Sequence, residues 1–187
     1  MVVLTADPAS QSELFVNAFT VAHETQYLTT VRSADSVTRW LEEPTAEGAT
    51  STRILETTKR GDVVASARRG IRSIPRGGAV VIDSAGPLEA VTPSRYRSLL
   101  ASLSDAVAEA DGVGLIHALG TDGPRSRCRL LTEQVADVVV RLETTVTDAS
   151  VENRLVVPKA RGIGALDVPI KLALTDRVVV DASRDIA

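Results

Sequence analysis

Residues 79–83 read AVVID, an uninterrupted apolar run closed by one carboxylate. A strand exposed on one face alternates apolar and polar residues. A run apolar throughout belongs to a strand buried on both faces, as in parallel sheets covered by helices. A second run of this kind, VGLIHA, spans 113–118. Between them lies a segment with apolar residues at helical spacing (Tyr96, Leu99, Leu100, Leu103 and Val107). It opens with Thr92-Pro93 as cap and first turn and closes at Asp111-Gly112. Strand, helix, strand with a parallel return is the unit from which layered α/β proteins are built.

The same alternation extends in both directions. Val2–Leu4 reads as a strand and 10–21 as a helix burying Leu14, Phe15, Ala18 and Phe19. Thr25–Thr30 reads as a strand, and a helix capped by Ser33 runs to about Glu43 and buries Val37, Trp40 and Leu41. A polar loop, EEPTAEGATS, leads to a strand at 52–57 and a helix at 62–71. After a turn at 122–124, a helix over 125–135 precedes a strand at 138–142. The tail changes character, with strands at 154–158, 171–174 and 177–180 joined by short turns. Right-handed crossovers then give one α/β domain over 1–187. Its central sheet is mostly parallel with helices on both faces, and antiparallel strands form its C-terminal edge.

Bulk properties narrow the chemistry. With 187 residues the chain can bury a substantial core, and with aromatics at 3% that core is aliphatic. A net charge of -3 gives no general attraction to nucleic acid or to anionic membrane. Cys128 is the sole cysteine, so neither an intrachain disulfide nor a thiolate cluster forms. His23 and His117 lack ligand spacing and read as structural. No run reaches the about 18 apolar residues of a membrane span, and MVVLTADP is not a secretory leader. The default expectation is a cytoplasmic protein. Ser84 and Ser94 have no histidine at a recognisable spacing, so no hydrolase triad is expected.

In open α/β sheets ligands bind beyond the carboxyl ends of the strands, which directs attention to the first loop. The P-loop frame G-x-x-x-x-G-K-[ST] falls on Ala6, Asp7, Pro8, Ala9, Ser10, Gln11, Ser12 and Glu13. Every signature residue differs. Ala6 and Gln11 cannot take positive φ cheaply, Ser12 carries no cation, and Glu13 brings a negative charge where a hydroxyl would hold magnesium. Ser10 and Glu13 have capping-box spacing, so the expected loop is self-capped, its helix amides filled by the chain's own carboxylate.

The tail reads EQVADVVVRLE, then RLVVPKARG, then RVVVD. This pattern resembles the C-terminal half of the RecA-like ATPases of the KaiC and GvpD type, in a divergent archaeal, haloarchaeal-looking branch. Arg154, Leu155, Val157, Lys159, Arg161 and Gly162 match that family's R-x-L-x-V-x-K-x-R-G strand. Asp83 stands at the Walker B position. The resemblance implies a catalytic glutamate pair at the end of the second strand, where this chain has Val31 and Arg32. Phosphate cradle and general base are therefore both missing. Asp83 retains two roles, metal holding or capping of a loop amide. Lys159 and Arg161 retain three: trans-acting contacts to a neighbour's nucleotide, contacts to another anion, or turn residues.

The function implied is a catalytically degenerate RecA/KaiC-like domain without a cofactor. It would be a regulatory or assembly protein whose partner is a competent RecA-like ATPase or a second copy. The alternative is an ATP-binding protein or ATPase with a remodelled loop, using ATP and magnesium. A nucleic-acid module built on Arg68, Arg69, Arg72 and Arg76, or on Arg125, Arg127 and Arg129, is the third reading. It is disfavoured because no aromatic residue for base stacking lies nearby.

Overall fold

The computed structural model describes residues 1–42, 51–57, 61–120, 124–148, 150–162, 164 and 166–181. Residues 43–50 of the expected EEPTAEGATS loop and residues 122–123 of the expected turn at 122–124 lie outside the described residues. Nine strands form one sheet. In chain order the elements are β1 Val2–Ala6, α1 Glu13–Val21, β2 Thr25–Thr29, α2 Ala34–Leu41 and β3 Thr52–Glu56. Then follow α3 Val63–Ile71, β4 Ala79–Asp83, α4 Gly86–Glu89, α5 Pro93–Glu109, β5 Val113–Leu119 and α6 Arg127–Val135. The chain closes with β6 Val138–Val146, β7 Val151–Ala160, β8 Ile170–Leu174 and β9 Val178–Val180.

The strand order is β3-β2-β4-β5-β1-β6-β7-β8-β9. All pairings from β3 through β6 are parallel, and β6 to β9 pair antiparallel. The expected mixed sheet and its antiparallel C-terminal edge are therefore present. Both apolar runs are central: β4 lies between β2 and β5, and every residue of AVVID is buried. One face carries the side chains of α3, α5 and α6 over Val3, Leu28, Val80, Ile82 and Ile116. The other carries Val16 of α1 and Val37 of α2 over Leu4, Tyr27, Val81 and Leu115. That second core continues onto the antiparallel strands through Leu142 and Leu172.

Three local expectations are corrected. Helix α1 begins at Glu13 rather than Ser10, because Ser10 is spent in a turn described below. Thr92 starts α5 without a side-chain capping bond, its hydroxyl lying instead 3.4 Å from that of Ser94. The strands β6 and β7 run to Val146 and from Val151, longer than the apolar spans suggested. Their polar residues pair across a hairpin, as in the register Thr144↔Asn153 and Glu143↔Arg154.

Candidate functional site

The chain leaves β1 toward β2 and leaves β5 in the opposite direction toward β6. These connections run over opposite faces of the sheet, through α1 and α6, and two adjacent parallel strands so connected open a crevice at their carboxyl ends, the place where such sheets bind ligands. An open cleft of about 640 Å³ lies there, lined by Asp7, Ser10, Arg125, Arg129, Arg141 and Glu143 among others. Its arginines are already engaged. Arg125 pairs with Glu133 at 2.8 Å, and Arg129 pairs with Glu89 at 2.8 Å. Arg129 also donates to the carbonyls of Ala118 and Leu119.

The first loop closes on itself. Asp7 Oδ1 accepts from the amide of Ala9 at 2.7 Å. The Asp7 carbonyl accepts both the amide of Ser10 (3.0 Å) and its hydroxyl (2.6 Å). Asp at the first position and Pro8 at the second are the residues a β-turn selects, and Asp adds a bond from its own side chain. The capping box is thus replaced by an Asp-Pro turn. Glu13 does not reach back to Ser10; its carboxylate meets Arg32 at 3.2 Å. The expected self-cap is therefore absent: α1 opens without a side-chain cap, and the amides bonded within the loop are those of Ala9 and Ser10, ahead of the helix.

Beneath the loop the structure gathers residues that spacing alone did not connect. Asp83, at the end of β4, has a neighbour on each oxygen. His117 Nδ1 donates to Oδ1 at 2.7 Å; the Tyr27 hydroxyl (2.6 Å) and Arg32 Nη2 (2.7 Å) donate to Oδ2. The parallel register places His117 directly beside Asp83. An ionised carboxylate only accepts, so the imidazole carries a proton on Nδ1; in the neutral ring Nε2 then accepts the Ser12 hydroxyl, 3.0 Å away. Arg32 also stacks over the Trp40 ring, 4.6 Å from its centroid. Burial works to raise the pKa of Asp83. The donated bonds from His117 and Tyr27, with Arg32, outweigh it and hold the carboxyl well below the usual carboxylate range. Burial, with Asp83 adding to it, pushes the Tyr27 phenol well above its ordinary value.

The serine, histidine and aspartate are joined in the order of a hydrolase relay, contrary to the expectation of no triad drawn from Ser84 and Ser94. The chain is sealed, however. Ser12 and His117 are each 1% exposed and Asp83 is 7% exposed, so no acyl group reaches the hydroxyl. One sequence signal could have found it. A histidine inside an apolar run must bond to something, and the end of the neighbouring strand offers a carboxylate.

The remaining candidates lie elsewhere. Val31 is exposed. Lys159 donates to the carbonyls of Glu133 (2.9 Å) and Gln134 (2.8 Å) at the end of α6, and Arg161 pairs with Asp137 at 3.3 Å. Both sit where β6 begins, at the end of the sheet opposite the first loop. Asp83 does not fit a magnesium ion in this arrangement, since both its oxygens are occupied by hydrogen-bond donors, one of them cationic. Among the described residues no His, Cys, Asp and Glu side chains group as a metal site, and no helix is long and apolar enough to cross a membrane.

Fold and site together define a mixed α/β protein with a closed first loop over an internally neutralised polar cluster. A model of a protein family of unknown function, DUF7125, matches residues 1–187, and the chain belongs to that family. No curated protein matches it.

Proposed function

We propose that this is a catalytically degenerate RecA/KaiC-like domain that works through protein contacts, as a regulatory or assembly protein of the cytoplasm, without a nucleotide or metal cofactor. The observation that carries this reading is the state of Asp83. In a phosphoryl-transfer site the strand-end carboxylate must be free to hold a cation, and the first loop must offer amides to phosphate. Here Arg32 and His117 satisfy the carboxylate from within the chain, and Asp7 takes the amides of Ala9 and Ser10. Arg32 occupies the position where the family resemblance calls for the water-activating acid, so a base has been exchanged for a fixed cation. Isothermal titration with ATP and magnesium tests the reading. No heat of binding and no phosphate release are expected; micromolar binding with turnover overturns it.

The cleft beside the first loop favours one second reading, an ATP-binding protein or ATPase with a remodelled loop, because Arg125, Arg129 and Arg141 line it. That reading requires Asp83→Asn to abolish turnover. It also requires Lys159→Ala to do so in a complex that shares the site between subunits.

A further inference from the structure

We infer that two copies of this chain pair antiparallel through the open edge of β9, about a twofold axis at Val179. Among the described residues the sheet ends on one side at β3, which carries Arg53 and Glu56, and on the other at β9, which is Val178, Val179 and Val180. Sheet edges are ordinarily guarded by charge, proline or a bulge. The β9 strand has none of these, and Val179 and Val180 are 42% and 62% exposed.

Backbone direction decides what this edge can bind. The Asp181 amide donates to the carbonyl of Lys171, and the Thr175 amide to the carbonyl of Arg177. In an antiparallel pair alternate residues face the partner strand. Arg177, Val179 and Asp181 therefore face β8, while Val178 and Val180 turn their N–H and C=O groups outward. A second copy in the register Val178↔Val180, Val179↔Val179 meets all of these outward groups with its own.

The same register sets Arg177 of each copy opposite Asp181 of the other. The sequence RVVVD is thus self-complementary in charge under antiparallel pairing. These two positions fall in the non-hydrogen-bonded class, where facing side chains come closest. Asp181 already lies 4.0 Å from Lys171 Nζ, and the second copy's guanidinium adds to that pair. An edge of three residues buries little area, so the association is weak and reversible rather than obligate. The pairing gives the protein-contact reading a partner, yet its evidence is the edge alone, and it stands whether or not the first loop takes nucleotide.

Sedimentation equilibrium over a dilution series, with thermal melts as a fold control, tests it. The native chain is expected to show a monomer–dimer equilibrium. Val180→Pro removes an outward N–H while leaving the β8 pairing intact, and is expected to weaken dimerisation about tenfold or more. Arg177→Asp and Asp181→Arg each set like charges opposite one another, so each alone is expected to weaken the dimer. An equimolar mixture of the two restores complementarity at both positions and is expected to recover it. A chain monomeric at every concentration, a dimer indifferent to Val180→Pro, or a mixture no tighter than its components would overturn the inference.

Discussion

Replacing Arg32 by methionine removes the guanidinium but keeps an apolar stem over Trp40. The loss comprises a charge-assisted bond to Asp83 at 2.7 Å, a longer contact to the Tyr27 hydroxyl at 3.3 Å, and the ion pair with Glu13. The Glu13 side chain is 50% exposed, so that pair contributes close to nothing. Breaking a fully buried pair costs about 3–5 kcal/mol. The Arg32 side chain is 23% exposed while that of Asp83 is 8% exposed, so water partly compensates, and about 2–3 kcal/mol at neutral pH is expected. The pH dependence separates this mechanism from lost packing. The folded-state pKa of Asp83 is depressed. Its contribution is complete above the unfolded value of about 3.9 and disappears as pH falls from there through the lower folded value. The gap between native and Arg32→Met stabilities in urea unfolding should therefore be widest near neutrality and narrow below about pH 4. A gap under about 1 kcal/mol at neutral pH, or one that persists unchanged on acidification, refutes the assignment of Arg32 as the counter-charge of Asp83.

Four further outcomes follow from the same packing. Gly70→Ala should destabilise the fold by about 1–3 kcal/mol in urea unfolding, because a Cβ there meets Leu28 Cδ2 and Leu55 Cδ2 in the core. Tyr96→Phe should cost about 1 kcal/mol by the same measurement, since its hydroxyl lies 2.8 Å from Thr132 Oγ1, which itself donates to Glu89. His117→Ala, which strips Asp83 Oδ1 of its donor and leaves the Ser12 hydroxyl unpaired, should cost about 3 kcal/mol or more, whereas Asp7→Ala, confined to the exposed turn, should cost under about 1 kcal/mol.

The alternation of strands and helices and the layering were readable because they rest on burial, and burial leaves its mark along the chain. AVVID and VGLIHA, each apolar but for one polar residue, fit the inside of a covered sheet, and both lie there. Short polar turns in the tail foretold antiparallel neighbours. The candidate site was readable only in part, because its bonds are long-range. Asp83 stood out as a strand-end acid, but His117 reaches it through the register of β4 and β5, Tyr27 from β2, and Arg32 from the turn after β2. None of these separations has a sequence period. The capping box failed for a different reason. Two local motifs overlapped at Ser10, and the Asp-Pro turn used the amide first, which released Glu13 to pair with Arg32.

The polar cluster around Asp83 has a consequence for how the domain holds together. A phosphate loop leaves dipoles and cations uncompensated until the ligand arrives, and such a domain gains stability from binding by mass action. In this chain Arg32 lies between Asp83 and Glu13, bonded to both, and His117 links Asp83 to Ser12 at the start of α1. The cluster ties the ends of β2, β4 and β5 to the first helix with no outside group. The cluster is a crosslink between four elements. The antiparallel tail carries exposed apolar residues, Val151, Leu166, Val168, Val179 and Val180 among them, while exposed Val146 lines the cleft beside the first loop.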